Sequence, residues 1–244
     1  MKIKILYKDS NILVIDKPSG ISVHSDGRSK EKTITDWVLK NYPKMKNVGE
    51  SLKILDAKIS EKIKIFPRPG IVHRLDRETS GVLLLAKNQK TYEILKDQFK
   101  ERSIKKTYHA IVSGFVKNDH DTINKPIGRS PRDFRRYLAG RGVRGELREA
   151  ITSYKVLKRL ETEFGKFSYL EIHPKTGRTH QIRVHMKFIN HPIVCDSLYN
   201  PNLSCPKDFK RLALHAKSIE FKNLKGKFVK VESPSPKEFK KMLI

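Results

Sequence analysis

Residues 73–86 read HRLDRETSGVLLLA, a polar segment that runs directly into the most apolar stretch of the chain. The continuous apolar run from Gly81 to Ala86 predicts a buried strand. Asp76 therefore lies close to the point where a loop enters that strand. An ionised aspartate in such a place can act as a nucleophile or as a base. The alternative is an ordinary surface ion pair followed by a turn, because structural ion-pair networks also contain perturbed carboxylates.

The elements on either side of this strand indicate one α+β domain over residues 1–244. Thr35 predicts the cap of a short helix that ends before Pro43, and Asn88 predicts the cap of the next helix. Thr179 predicts the cap of a third helix over 179–189. The strands and helices alternate irregularly, which favours an α+β fold over a doubly wound sheet. Strands are predicted over 3–7, 12–16, 106–113, 151–158 and 167–172, and a surface excursion over 44–66.

The composition indicates a polyanionic partner. The 244 residues include 52 Lys and Arg against 26 Asp and Glu, which gives a formal net charge of +26. The basic residues are spread along the whole chain and not confined to one amphipathic helix, which favours nucleic acid over an anionic membrane. No apolar run approaches the roughly 18–20 residues of a membrane helix. Two cysteines do not make a disulfide scaffold, so we expect a soluble, cytoplasmic protein.

A second polar motif, TGRTHQIRVH, covers residues 176–185. Arg183 lies near the first turn of the predicted helix, where the helix dipole disfavours a cation. An arginine in this place therefore indicates an opposing carboxylate, and Asp76 is a reasonable partner. The alternative is an exposed arginine, which is common on protein surfaces.

Two further features are compatible with RNA binding. In the strand predicted over 106–113, Tyr108 shares a face with Ala110 and Val112, so it can line a pocket and stack on a base. A tyrosine of the core is the alternative. The segment 129–148 is predicted to be a basic loop that contacts RNA phosphates, or otherwise a solvated charged loop. Its arginines are Arg129, Arg132, Arg135, Arg136, Arg141, Arg144 and Arg148.

The sequence carries no recognised metal or nucleotide-cofactor motif. His180 and His185 lack the H-E-x-x-H spacing, and Cys195 and Cys205 belong to no known zinc pattern. No glycine-rich phosphate loop is present. We therefore expect no metal and no cofactor, and any catalysis would depend on side chains alone.

Taken together, these segments resemble the RluA family of RNA pseudouridine synthases. Residues 73–81 match its HRLDxxTSG signature, and residues 177–185 match GRTHQIRxH. The tyrosine motif is matched by Lys106, Tyr108 and Ala110. Three shorter motifs follow in the expected order, namely Lys17-Pro18-x-Gly20, His191-Pro192-Ile193 and Leu214-His215-Ala216. The likeness extends from about residue 4 to the C-terminus.

The resemblance implies a cofactor-free isomerase that converts uridines in RNA to pseudouridine. Asp76 would be the catalytic aspartate, which either attacks the ribose or assists loss of its C2′ proton. Tyr108 would pack on the uracil and help remove the C5 proton, and Arg183 would pair with Asp76 and keep it ionised. Arg74 would fill the space that the flipped nucleotide leaves. The implied fold is a mixed, mainly antiparallel sheet with flanking helices and a central active-site cleft.

This sequence departs from the family pattern in two respects. Where relatives often read GHPIVGD, this chain has Asn190 and Cys195 in place of the two glycines. We therefore expect a local shift, with either different backbone angles or an asparagine in the left-handed region. We also expect no separate N-terminal RNA-binding module before residue 3. Target selection would then depend on the catalytic domain, which we expect to be a monomer.

The sequence leaves the substrate and two other functions open. Ribosomal RNA is slightly favoured over transfer RNA. The main alternative is a non-catalytic RNA-binding or ribosome-assembly factor on the same scaffold. A DNA-binding protein is less well supported, because no helix-turn-helix or zinc-finger pattern is present.

Overall fold

The computed structural model describes residues 1–25, 31–55, 63–202, 205–206 and 209–243. The chain divides into two compact units, one formed by Met1–Ile104 with Ile219–Ser233 and the other by Lys105–Ser218 with Pro234–Ile244. The single domain over 1–244 stays a prediction, and the two units are described separately.

The first unit is built on the apolar strand predicted at its centre. β2 (Ile12–Lys17) pairs antiparallel with β5 (Ser80–Ala86) and with β1 (Lys4–Lys8). The side chains from Ile12 to Ile15 and from Leu83 to Leu85 are fully buried. Its other elements are α1 (Ile34–Asn41), the hairpin of β3 (Leu52–Leu55) and β4 (Ile63–Phe66), α2 (Gln89–Lys100) and β14 (Phe228–Glu232).

Two details of this unit differ from expectation. The cap of α1 is Thr33 and not Thr35, because Thr33 and Asp36 form a reciprocal capping box. The segment 44–66 was expected to be a surface excursion, but its described part contains the β3–β4 hairpin. Asn88 caps α2 as predicted, with its side chain accepting a hydrogen bond from the Thr91 N–H.

The second unit is an antiparallel sheet with the strand order β6-β12-β11-β7. The strands predicted over 106–113, 151–158 and 167–172 are confirmed as β6, β11 and β12. The apolar core includes Ala110, Leu170 and Met186, all fully buried. The bounds are β6 (Lys105–Ser113), β7 (His120–Asn124), β11 (Ile151–Thr162), β12 (Gly165–Pro174), α3 (Gln181–Phe188) and α4 (Lys237–Leu243). β13 (Leu214–Lys222) begins in this unit and ends in the first.

The predicted basic loop is a small antiparallel sheet. β8 (Ile127–Arg129) lies between β10 (Arg144–Arg148) and β9 (Tyr137–Ala139). One side of this sheet is anchored, because Ile127 is buried in a small cluster that also contains Val184 and Tyr199. We call residues 127–148 the basic arm.

The prediction for α3 was right in position and wrong in its cap. The helix begins at Gln181, and the residue before it is His180 in the left-handed conformation with φ 56°, where Thr179 had been expected. The fold class is confirmed as α+β, with mainly antiparallel strands and few helices. Among the described residues, no helix is both long and apolar enough to cross a membrane.

Candidate active site

The loop that carries Asp76 is held at both of its ends. Before it, the side chain of Leu75 is almost completely buried. After it, the Thr79 N–H donates to the Asp76 carbonyl oxygen over 3.1 Å and closes a turn directly before β5. Asp76 itself is half-buried. The fixed backbone and the accessible side chain suit a residue that must meet a substrate.

A buried ammonium group fixes the same loop from β2. Lys17 is 0% exposed, and its Nζ donates to the carbonyl oxygens of Arg77, Pro18 and Ile21 over 2.9, 2.9 and 2.7 Å. The Gly20 N–H also donates to the Arg77 carbonyl oxygen, over 2.9 Å. The Lys-Pro-x-Gly motif is therefore a clamp on the backbone beside Asp76. The sequence analysis gave this segment only as a matched family motif and assigned no role to Lys17.

The other two residues of the His-Arg-Leu-Asp motif have different surroundings. His73 Nε2 accepts a hydrogen bond from the Leu84 N–H over 2.9 Å, and its ring stacks on Phe99 at 4.9 Å between centroids. His73 thus supports the C-terminal half of β5. Arg74 is exposed and lies 3.4 Å from His24 between Nη1 and Nε2. Its exposure leaves it accessible to an RNA substrate.

In the second unit, Tyr108 lies on β6 opposite Ile172 and is half-buried against the core. Lys106 is two residues earlier, so it points to the same face of the strand. Its Nζ donates to the Thr176 carbonyl oxygen over 3.3 Å. Burial lowers the pKa of the Lys106 amine to about 8.

Arg183 is buried in a bidentate ion pair. Its Nε and Nη2 donate to the two carboxylate oxygens of Asp196, each over 2.8 Å, and the side chains are 8% and 0% exposed. The exposed alternative for Arg183 is therefore wrong, and the expectation of an opposing carboxylate is confirmed. The sequence analysis missed Asp196, for which the aspartate in the family pattern was the available signal. Pairing of Arg183 with Asp76 stays a prediction.

A buried polar network positions α3, which carries Arg183. The Gln181 amide donates to the Ile151 carbonyl oxygen over 3.0 Å and to Thr152 Oγ1 over 2.9 Å. His185 is fully buried. Its Nδ1 lies 2.9 Å from Thr152 Oγ1, and its Nε2 lies 2.9 Å from the Lys125 carbonyl oxygen. Burial lowers the pKa of the His185 imidazole below its ordinary value. The network fixes α3 against β11.

The arginines of the basic arm are not equivalent. Arg135 forms two hydrogen bonds with Asp133, of 3.0 and 2.9 Å, and Arg136 lies 3.5 Å from the same carboxylate. The hydrogen bonds from Arg135 lower the pKa of Asp133 to about 2. Arg129 stacks over the Tyr137 ring, with 5.6 Å from its guanidinium carbon to the centroid, and Arg132 is exposed.

The two residues that replace family glycines both adopt left-handed backbone conformations. The φ angle is 63° at Asn190 and 57° at Cys195. The alternative of an asparagine in the left-handed region is therefore confirmed at Asn190. Cys195 also adopts the conformation that glycine favours, so different backbone angles are not needed. The sulfur atoms of Cys195 and Cys205 lie at bonding distance, with 5.2 Å between the Cα atoms. In the described part of the chain, no group of three or more His, Cys, Asp or Glu side chains is arranged to hold a metal ion.

Comparison with known proteins connects this geometry to one family. Residues 11–188 match the family described as RNA pseudouridylate synthase. An uncharacterized RNA pseudouridine synthase of Synechocystis is 34% identical over 98% of this chain and 68% of its own length. The ribosomal large subunit pseudouridine synthase D of Borreliella burgdorferi is 38% identical over 97% of this chain and 66% of its own length.

A solved structure gives the same result. Human RNA pseudouridylate synthase domain containing 4 is 26% identical with a TM-score of 0.70, over 98% of this chain and 91% of that one. The fold, the order of the motifs and the relatives agree. The chain belongs to the RNA pseudouridylate synthase family, a family of isomerases.

Proposed function

We propose that this protein isomerises selected uridines of ribosomal RNA to pseudouridine in the cytoplasm, as a monomer and with Asp76 as the catalytic aspartate. The observation that carries the proposal is the Asp76 loop, whose backbone is clamped by the buried Lys17 ammonium while the carboxylate remains half-buried. Ribosomal RNA is favoured because relatives from Borreliella burgdorferi and Xanthomonas campestris are named ribosomal large subunit pseudouridine synthase D.

The reaction needs no group beyond the side chains of the chain and the RNA. Asp76 either attacks C1′ of the ribose or removes its C2′ proton, and the C1′–N1 bond breaks in both cases. The freed uracil rotates, and C5 bonds to C1′ while the Asp76–C1′ bond breaks on the first route or the C2′ proton returns from Asp76 on the second. Tyr108 packs on the uracil and helps to remove the C5 proton, which passes to solvent while N1 gains a proton. Arg183 pairs with Asp76.

The RNA is held by charge and by the space that a flipped base leaves. Extrusion of a base costs a few kcal/mol, and phosphate contacts offset this cost. Arg74 is the residue that fills the vacated space. Among the arm residues, Arg129 and Arg132 are the stronger phosphate-binding candidates, since Arg135 and Arg136 already share the Asp133 carboxylate.

Tritium release tests the proposal. RNA labelled at uracil C5, from a strain that lacks the gene, is incubated with the purified protein and separated into ribosomal and transfer fractions. We expect release from ribosomal RNA, no release with Asp76→Asn, and normal release with Asp97→Asn, an exposed aspartate on α2.

Three outcomes would contradict the proposal or a part of it. Tight RNA binding by the wild-type protein without release from any fraction would favour the non-catalytic RNA-binding alternative. Release that Asp76→Asn leaves intact would exclude the assigned role of Asp76. Release from the transfer fraction alone would replace ribosomal RNA as the substrate.

A further inference from the structure

Tyr199 belongs to the second unit and lies where the basic arm, the start of α3 and the Arg183 ion pair meet. Its side chain is buried. Its backbone N–H donates to Asp196 Oδ1 over 3.0 Å, the oxygen that also accepts from Arg183 Nη2. The turn that positions Tyr199 is therefore built on the partner of Arg183.

The ring of Tyr199 covers one face of the Arg183 guanidinium. The guanidinium carbon lies 5.0 Å from the ring centroid. Asp196 binds the edge of the same guanidinium through two parallel hydrogen bonds. The bidentate pair fixes the plane of the group, and stacking on the ring restricts its tilt. The orientation of Arg183 thus depends on where Tyr199 lies.

The hydroxyl group of Tyr199 connects to two other elements. It accepts a hydrogen bond from the Tyr137 backbone N–H in β9 over 3.0 Å. It lies 2.9 Å from Nδ1 of His180, the residue directly before α3. One hydroxyl therefore joins a strand of the basic arm to the N-terminus of the helix that carries Arg183.

The same strand reaches the surface that we assign to RNA. Tyr137 is paired with Arg129 across the β8–β9 ladder, and the Arg129 guanidinium stacks over the Tyr137 ring. A phosphate bound by Arg129 would pull on Tyr137, whose N–H is bound to the Tyr199 hydroxyl. The path from the arm to Arg183 is then a series of direct contacts.

We infer that Tyr199 is a positioning residue that couples RNA binding by the basic arm to the orientation of Arg183. The inference rests on the proposed function. It assigns to Tyr199 a part in the chemical step and none in RNA affinity.

The variant Tyr199→Phe separates the two roles of the side chain. It keeps the ring over Arg183 and removes the hydroxyl with its hydrogen bonds. Tyr154→Phe is the matched control, because Tyr154 is also a buried tyrosine of the second unit and lies in β11 outside the arm. The probe is deproteinised large-subunit ribosomal RNA from a strain that lacks the gene, labelled at uracil C5.

Single-turnover tritium release at saturating enzyme is compared with the Kd from filter binding. For Tyr199→Phe we expect a rate constant about tenfold lower, which corresponds to about 1.4 kcal/mol, and a Kd within about threefold of wild type. Tyr154→Phe should change neither. Arg129→Ala should weaken binding, and its effect on the saturated rate should be smaller in the Tyr199→Phe background than in wild type. Equal losses in rate and affinity, or additive effects of the two variants, would overturn the inference.

Hydrogen exchange tests the coupling without depending on catalysis. RNA should slow amide exchange over 181–184 in the wild-type protein and not in Tyr199→Phe. If RNA leaves exchange in this segment of the wild-type protein unchanged, the coupling is excluded. This test needs only the wild-type protein, so it holds even if Tyr199→Phe does not fold. If neither the wild-type protein nor any variant releases tritium, but RNA still slows amide exchange over 181–184 in the wild-type protein, the proposed function is contradicted and the coupling is retained.

Discussion

Asp196→Asn is predicted to be strongly destabilising, although it only replaces one carboxylate oxygen by an amide NH2 group. In the wild-type protein, Asp196 and Arg183 form a bidentate pair with side chains 0% and 8% exposed. Removal of one charge from a buried bidentate pair typically costs about 3–5 kcal/mol, because the other charge loses both of these hydrogen bonds to a carboxylate. The asparagine keeps one oxygen for the Leu198 and Tyr199 N–H groups. We therefore expect the lower end of that range, about 3 kcal/mol.

Urea denaturation followed by circular dichroism measures this loss, and thermal unfolding gives a second value. In a chain of this size, about 3 kcal/mol corresponds to a fall in Tm of roughly 6–12 °C. Glu146→Gln is the matched control, because Glu146 and Arg148 form an ion pair whose side chains are 72% and 61% exposed. Exposed pairs contribute at most about 1 kcal/mol. A loss for Asp196→Asn that is no larger than that of the control would refute the assignment of a buried pair.

Three other predictions test parts of the site. Lys17→Met should cost about 2–4 kcal/mol in urea denaturation and slow tritium release, because the backbone beside Asp76 loses its charged donor. Burial lowers the pKa of His185, so its imidazole stays neutral in the fold. Its contribution to the free energy of unfolding should be fully present above about pH 6.5 and should fall as the pH drops below that value. This fall should be smaller in His185→Gln when the two proteins are compared by urea denaturation. Gly70→Ala should lower Tm sharply, since a Cβ there would lie 2.0 Å from a backbone oxygen, whereas Gly142→Ala has nothing within 4 Å and should cost less.

The strands could be predicted from the sequence because runs of apolar residues indicate buried strands. The stretch from Gly81 to Ala86 is buried along its whole length, so its pattern needed no tertiary information. The cap of α1 was misplaced although the signal was present, since Thr33 and Asp36 have the spacing of a capping box. The cap of α3 had no such signal. His180 makes no capping hydrogen bond through its side chain, and Gln181 accepts the Arg178 N–H instead.

The site was harder to predict because its charged side chains bind partners that lie far away in the sequence. The dipole argument correctly required a carboxylate near Arg183, but it did not identify Asp196, which lies 13 residues further along the chain. Lys17 was missed for the same reason, because one of its acceptors is a carbonyl oxygen 60 residues away. The sequence motifs suggest candidate catalytic groups, and the fold identifies the groups that hold them in place.

The turn from Asn190 to Asp196 explains how two family glycines can be replaced without loss of the Arg183 pair. A non-glycine residue in the left-handed region costs about 1–3 kcal/mol and persists only where its surroundings determine it. Here the surroundings do so on both sides of Cys195. The Val194 N–H donates to the Ile111 carbonyl oxygen over 3.0 Å, and the Asp196 N–H donates to the Ile193 carbonyl oxygen over 3.3 Å. The hydrogen bond to β6 therefore fixes the turn, and Asp196 keeps its position with Cys195 in the place of the glycine.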